Sequence, residues 1–184
     1  MNDKNKMKKI HTSELRNAAR DLKSGELIHL TGTIFTARDA AHKRFFALLD
    51  KGEPLPIDIN DACIYYAGPT PAVNGMAVGS CGPTTSSRMD KFAPGLLDMG
   101  MLCMIGKGDR SKDVYDAIVR NGAIYLCAVG GAGALAAACI KSCEVIAFPE
   151  LGCESVKKME IVDFPLYVGI DTKGNSIFKG NKTR

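Results

Sequence analysis

Short apolar runs alternating with helix-type segments constrain this chain more than any other feature. Residues 64–67, 102–105, 123–129 and 143–148 each have the length and bulk of a buried strand. Between them lie a segment from 89 to about 99 that Pro94 interrupts, a segment from Ser111 to Arg120, and a small-residue segment over 132–140. Pro is tolerated at a first helical position, so Pro94 permits a second helical piece rather than ending helix formation there. Alternation of strand and helix calls for a parallel sheet. The first third is richer in strand. Residues 27–35 form a strand rich in Ile, Leu and Thr, after a helix capped by Thr12 or Ser13 and running to Leu22. Residues 38–49 form a helix with Ala41, Phe45, Leu48 and Leu49 on one face, and 76–80 form a further strand. Two strands close the chain, over 159–162 and 166–171, before a turn at Lys173-Gly174-Asn175. The sum is an α/β fold with a mixed sheet.

The 184 residues suit one domain spanning 1–184, with a polar, basic tail over residues 1–9. A net charge of +4, without a Lys/Arg block or aromatics interleaved with basic residues, does not indicate nucleic-acid binding. No apolar run reaches the length of a membrane span and no secretory signal opens the chain, so a cytoplasmic protein is expected. Seven cysteines, an odd number without an export signal, suggest reduced thiols. They include no C-x2-C pair, and Cys139-x3-Cys143 is the nearest approach to one, so no metal held by this chain is expected.

Three basic positions follow expected strands. Arg38 opens a helix and can clamp a carboxylate there, or simply belong to a solvated helix with an Asp39–Lys43 pair. Arg88 ends the hydroxyl-rich run Gly82-Pro83-Thr84-Thr85-Ser86-Ser87-Arg88-Met89-Asp90, which offers side-chain caps and a fork-shaped cation for an anion. Lys107 lies between Gly106 and Gly108, where backbone can approach a ligand closely. In open α/β sheets ligands sit beyond the carboxyl ends of the strands, so three cations converging there would suit a small dicarboxylate. His42, one turn after Arg38, could line the same site; His11 and His29 have no partner pattern. A rival reading is a dinucleotide-binding module, from Gly131-Ala132-Gly133-Ala134-Leu135-Ala136, a G-x-G-x-x-A run opening a helix with Glu150 downstream. Close packing of helix on sheet would use the same small residues.

Four ordered blocks carry a resemblance. Thr36-Ala37-Arg38-Asp39-Ala40-Ala41-His42-Lys43-Arg44, the run from Gly82 to Asp90, Gly106-Lys107-Gly108-Asp109-Arg110-Ser111 and Asp163-Phe164-Pro165 resemble the β subunit, or C-terminal domain, of class I iron–sulfur fumarate hydratases and L-tartrate dehydratases. The resemblance runs from about Ile10 to Phe178. It implies a swivelling β/β/α domain and a hydro-lyase interconverting malate and fumarate. It also implies a partner α subunit ligating a [4Fe-4S] cluster, in a hetero-oligomer of α2β2 type. This chain's cysteines would then not be the cluster ligands. Thr84 matches the position of the catalytic base, with Thr85 one position away. Arg38, Arg88 and Lys107 match carboxylate-binding positions, with Asp39 and His42 orienting Arg38.

The chemistry asks for two things. A base must take a weakly acidic proton beside a carboxylate, and the hydroxyl must become a better leaving group, which an iron with an open position achieves. Cations beside the carboxylate lower the barrier to the first. A Thr hydroxyl serves as base only if its pKa is strongly depressed or a relay passes the proton on. Ser86-Ser87 between the Thr pair and Arg88 leans to the tartrate branch, and Asp109-Arg110-Ser111 to the fumarate branch, which is preferred. A purely structural subunit remains a further alternative.

Overall fold

Every second side chain from Ile28 to Thr36 is buried, and those between are partly exposed. A period of two marks a strand with one face on a core. The computed structural model describes residues 8–73, 75–129, 131 and 133–178. Its strands are β1 (Lys8–His11), β2 (Leu27–Thr36), β3 (Cys63–Tyr65), β4 (Cys103–Gly106), β5 (Ile124–Cys127), β6 (Ile140–Ala147) and β7 (Val156–Ile170). Strands β2, β3, β4 and β5 run parallel in that order. Strand β7 is antiparallel to both β5 and β2, so it closes the sheet into a barrel-like ring. Strand β1 extends the ring beside β2, and β6 extends it beside β7.

The helices are α1 (Leu15–Ala18), α2 (Asp39–Leu49), α3 (Ala93–Asp98), α4 (Lys112–Asn121) and α5 (Gly133–Cys139). Pro94 falls in the first turn of α3, where its missing N–H costs nothing. Helix α4 stops at Gly122, whose φ of 58° lets its N–H return to the Ile118 and Val119 carbonyls. One apolar cluster is enclosed by the ring and includes Ile28, Leu30, Tyr65, Ile105, Leu126 and Leu166. A second lies between the outer face and α2, α3 and α4, and includes Phe45, Ile64, Tyr66, Met104 and Val114. Strands β3 and β4 are therefore buried on both faces, which explains their unbroken apolar sequence.

Several elements differ from expectation. The first helix is a 3-10 turn, Thr12–Glu14, followed by the single-turn α1. Among the described residues of 76–80 there is no strand; the run is pinned at its end, where the Thr70 N–H donates to the Ser80 carbonyl at 2.9 Å and the Gly79 N–H to the Thr70 carbonyl at 3.2 Å. The two final strands are one, β7. It survives its polar and proline interruptions through a bulge: Val162 and Asp163 oppose Thr31 alone, between the pairs Leu30↔Phe164 and Gly32↔Ile161. Asp163 takes φ 51° there, its N–H donates to Thr31 Oγ1 at 3.0 Å, and its carboxylate pairs with Lys9 at 2.8 Å. Lys8 and Lys9, expected in a tail, belong to β1.

Candidate functional site at the strand ends

The carboxyl ends of β2, β3, β4 and β5 lie side by side, with Thr36 opposite Tyr65, Tyr65 opposite Ile105, and Gly106 opposite Cys127. Whatever leaves these strands is delivered to one rim. Arg38 leaves β2, the segment from Tyr66 to Gly68 leaves β3, and Lys107 leaves β4. The hydroxyl-rich run folds back onto the same rim through backbone pairing. Ala67 bridges Pro83, the Thr84 N–H donates to the Tyr66 carbonyl at 2.7 Å, and Thr85 bridges Lys107. The Ser86 N–H donates to the Lys107 carbonyl at 2.9 Å.

Arg38 occupies the N-cap position of α2 in extended conformation. Its guanidinium lies against Gly68, where a Cβ would come within 3.0 Å of Nη1. Its ion-pair partner is Glu154 at 3.2 Å, rather than Asp39, and the second Glu154 oxygen accepts from the Ala40 N–H at 3.2 Å. Arg38 Nε is buried without a hydrogen-bond partner among the described residues. Asp39 stands in the first turn of α2, where a negative charge suits the helix dipole, and it makes no ion pair with Lys43 or any other described residue. His42 does not line the rim. It is fully buried among Phe45, Tyr66 and Phe92, and Nδ1 lies 2.8 Å from the Arg38 carbonyl. Burial holds its pKa down at about 4, so the ring is neutral and Nδ1 carries the proton that this carbonyl accepts. His42 therefore anchors the Arg38 backbone, not its guanidinium.

Thr84 is half-buried, while Thr85, Arg88 and Lys107 are exposed. Among the described residues the Arg88 and Lys107 side chains make no hydrogen bond or ion pair. Arg88 sits in the 3-10 segment Ser86–Met89, anchored by buried Ser86 and Met89. Ser86 Oγ accepts from the Lys107 N–H at 3.0 Å and packs on Gly106, where a Cβ would collide with it. Beneath, Tyr125 Oη lies 2.8 Å from Ser86 Oγ and 2.9 Å from the Gly108 carbonyl. The buried Arg110 spans the Tyr66 and Tyr125 rings and pairs with Asp90 at 2.7 Å, while Asp90 also accepts from the Ser111 N–H at 2.6 Å. Sequence reasoning assigned no individual role to Glu154, Asp90 or Tyr125, and used Ser86 and Arg110 only as parts of motifs. The signal available for three of them was their place inside the blocks around Arg88 and Lys107.

The second glycine of the G-x-G-x-x-A run is close-packed, whereas the first, Gly131, has open space where a Cβ would stand. A Cβ on Gly133 would strike Ser80 Oγ and approach Gly82 N to 3.3 Å, and the Gly133 carbonyl accepts from Cys81 N–H at 3.1 Å. The glycine meets protein where a pyrophosphate would need room; Ala132 of that run lies outside the described residues. Cys63, Cys81 and Cys103 are buried in the ring core, and burial pushes the Cys81 thiol up to about 12. Among the described residues no group of three His, Cys, Asp or Glu side chains could hold a metal ion, and no helix is long and apolar enough to cross a membrane.

A family model of the fumarase C-terminus matches residues 1–181. This chain belongs to that family. The aerobic class I fumarate hydratase of Escherichia coli is 45% identical over 154 residues, covering 83% of this chain and 28% of the relative. Fumarate hydratase 2 of Leishmania major is 44% identical over 156 residues, again covering 28% of the relative. The chain thus spans under a third of the fumarate hydratases it matches. The L(+)-tartrate dehydratase subunit beta of E. coli differs in extent: 35% identical over 182 residues, covering 96% of this chain and 89% of the relative. The matches to both groups agree with the resemblance carried by the four sequence blocks.

Proposed function

We propose that this chain is the β subunit of a hydro-lyase that interconverts malate and fumarate. Its swivelling β/β/α-type domain would span 1–184 and work beside an α subunit in an α2β2 assembly. The observation that carries the reading is the rim where Arg38, Thr84, Arg88 and Lys107 leave neighbouring strands or the loop paired to them. Arg88 and Lys107 are exposed there, with no described partner to neutralise them. Two uncommitted cations fit a dicarboxylate that arrives from outside and is covered by another chain.

In this reading Arg38, Arg88 and Lys107 hold the two carboxylates. As the proton leaves the carbon beside one of them, negative charge grows on that carboxylate, and these cations stabilise it. Deprotonated Thr84 Oγ1 takes the proton, the C–H electron pair becomes the double bond, and the hydroxyl leaves the neighbouring carbon with its own bonding pair, to be released as water once protonated. For Thr84 to act as base its hydroxyl must lose its proton; half-burial opposes that, so in this reading Arg88 and Lys107 supply the positive charge that favours the deprotonated form. This chain's own thiols do not fit a cluster site: Cys63, Cys81 and Cys103 are sealed in the core, and no group of three His, Cys, Asp or Glu among the described residues could hold a metal ion. In this reading the [4Fe-4S] cluster is held by the α subunit.

L-tartrate dehydration is the second reading. It is favoured by the near-complete coverage of the tartrate dehydratase β subunits, which are separate chains of this extent. The fumarate reading is favoured by the higher identity. The test is to co-purify this chain anaerobically with its cluster-bearing partner and assay fumarate, malate and L-tartrate in one panel. Fumarate hydration is expected. Turnover of tartrate alone selects the second reading, and full activity of the partner without this chain would reduce it to a structural subunit.

A further inference from the structure

Tyr125 is fully buried on β5, and its hydroxyl reaches past the neighbouring Cys127 thiol to two segments of the rim. Its bonds go to Ser86 Oγ at 2.8 Å and the Gly108 carbonyl at 2.9 Å. These are the two segments that carry Thr84 and Arg88 on one side and Lys107 on the other. A phenol has one proton to give. Donation to the Gly108 carbonyl leaves the Ser86 hydroxyl to donate to Tyr125, while Ser86 Oγ still accepts from the Lys107 N–H at 3.0 Å. Every partner in this small circuit is then satisfied. The Ser86 N–H to Lys107 carbonyl bond at 2.9 Å closes it from the rim side. Arg110 packs over the Tyr125 ring, with Cζ 5.0 Å from its centroid, and Asp90 ties that guanidinium back to the end of the Arg88 segment.

We propose that Tyr125, acting through Ser86 and Gly108, is a positioning residue that sets the spacing between the Thr84–Arg88 loop and the Lys107 turn. The inference rests on the hydro-lyase reading for its catalytic consequence. Phenylalanine fills the same space, so Tyr125→Phe removes the circuit and leaves the packing. Ser86→Ala breaks it from the other side and serves if the first variant fails to fold.

The test uses the co-purified assembly for kinetics and the full chain for amide hydrogen exchange. In Tyr125→Phe the Lys107 amide should exchange about tenfold faster, the loss of one typical hydrogen bond. The Ile105 amide, inside β4, should be unchanged. KM for the dicarboxylate should rise by about tenfold and kcat should fall by about ten- to a hundredfold, the effect of a misplacement of roughly an ångström. A role in stability alone would lower the active fraction, and hence kcat, with KM unmoved. Unaltered KM in an assembly whose Arg88→Ala variant is inactive overturns the proposal while the hydro-lyase reading stands. Lys107 exchange at the normal rate also overturns it, whatever the kinetics. If the intact assembly turns over no dicarboxylate, the hydro-lyase reading fails and the catalytic half of this proposal falls with it.

Discussion

His42 shows how one buried polar side chain can link a candidate site to acid sensitivity. Its folded pKa of about 4 lies below the unfolded value near 6.5 because burial disfavours the charged ring. Above the unfolded value both states are neutral and the group contributes no pH dependence. As pH falls between the two values only the unfolded chain binds the proton, so stability declines and then levels off below the folded value. The full loss is about 3 kcal/mol. Urea unfolding at neutral pH and near pH 4 should show wild type losing about that much more than His42→Gln; equal losses would contradict the assignment. At Thr84 the hydroxyl itself is in question. Thr84→Ser should keep most turnover, whereas Thr84→Val should lower kcat by about a hundred- to ten-thousandfold, as removal of a general base does. Near-normal kcat in the valine variant would exclude Thr84 as base. Arg88 is exposed and has no partner among the described residues, so Arg88→Ala should abolish most activity with an unchanged unfolding curve.

At the scale of elements, the joint between β4 and the hydroxyl-rich loop depends on Gly106. The Ser86 hydroxyl and the Tyr66 ring occupy the space of its missing Cβ, the ring at 3.1 Å. Gly106→Ala should therefore cost about 1–3 kcal/mol through overpacking, and should displace Lys107 with it. A melting curve matching wild type would refute that packing. This joint also shows what a sequence can reveal. Lys107 between two glycines was legible because glycine beside a cation signals close approach, and the hydroxyl run was legible by composition. Strands β3, β4 and β5 were legible because burial on both faces leaves an unbroken apolar run. The rest depended on contacts distant in sequence. Glu154 pairs with Arg38 from beyond β6, and nothing local distinguishes it from another surface acid. Tyr125 read as an ordinary strand aromatic because its role lies in where its hydroxyl ends. The 76–80 run has strand-like residues but meets Thr70 at its end rather than a strand edge, and β7 read as two strands because Asp163 and Pro165 look like punctuation when the opposing Thr31 is unseen.

For the whole molecule, β7 is the element on which closure depends. It pairs with β2 along most of its length, with β6 at one end and with β5 at the other. The rim needs that closure, since the parallel strands β2 to β5 bring their ends together only while the ring holds them in register. Leu166 lies within this closure. It is fully buried, opposite Ile28 of β2, inside the cluster that the ring encloses. Leu166→Ala should cost about 2–5 kcal/mol, the lost transfer energy plus the cavity left behind. Because the ring is one hydrogen-bonded circuit, the loss should appear everywhere at once. Far-UV dichroism, which follows the sheet, and tyrosine fluorescence, to which Tyr65, Tyr66 and Tyr125 near the rim contribute three of the five tyrosines, should shift to lower urea by the same amount with an unchanged m-value. If dichroism moved while the tyrosine signal stayed, the rim would be held by its helices and loops instead of by closure. The dependence of the candidate site on the barrel would then be wrong.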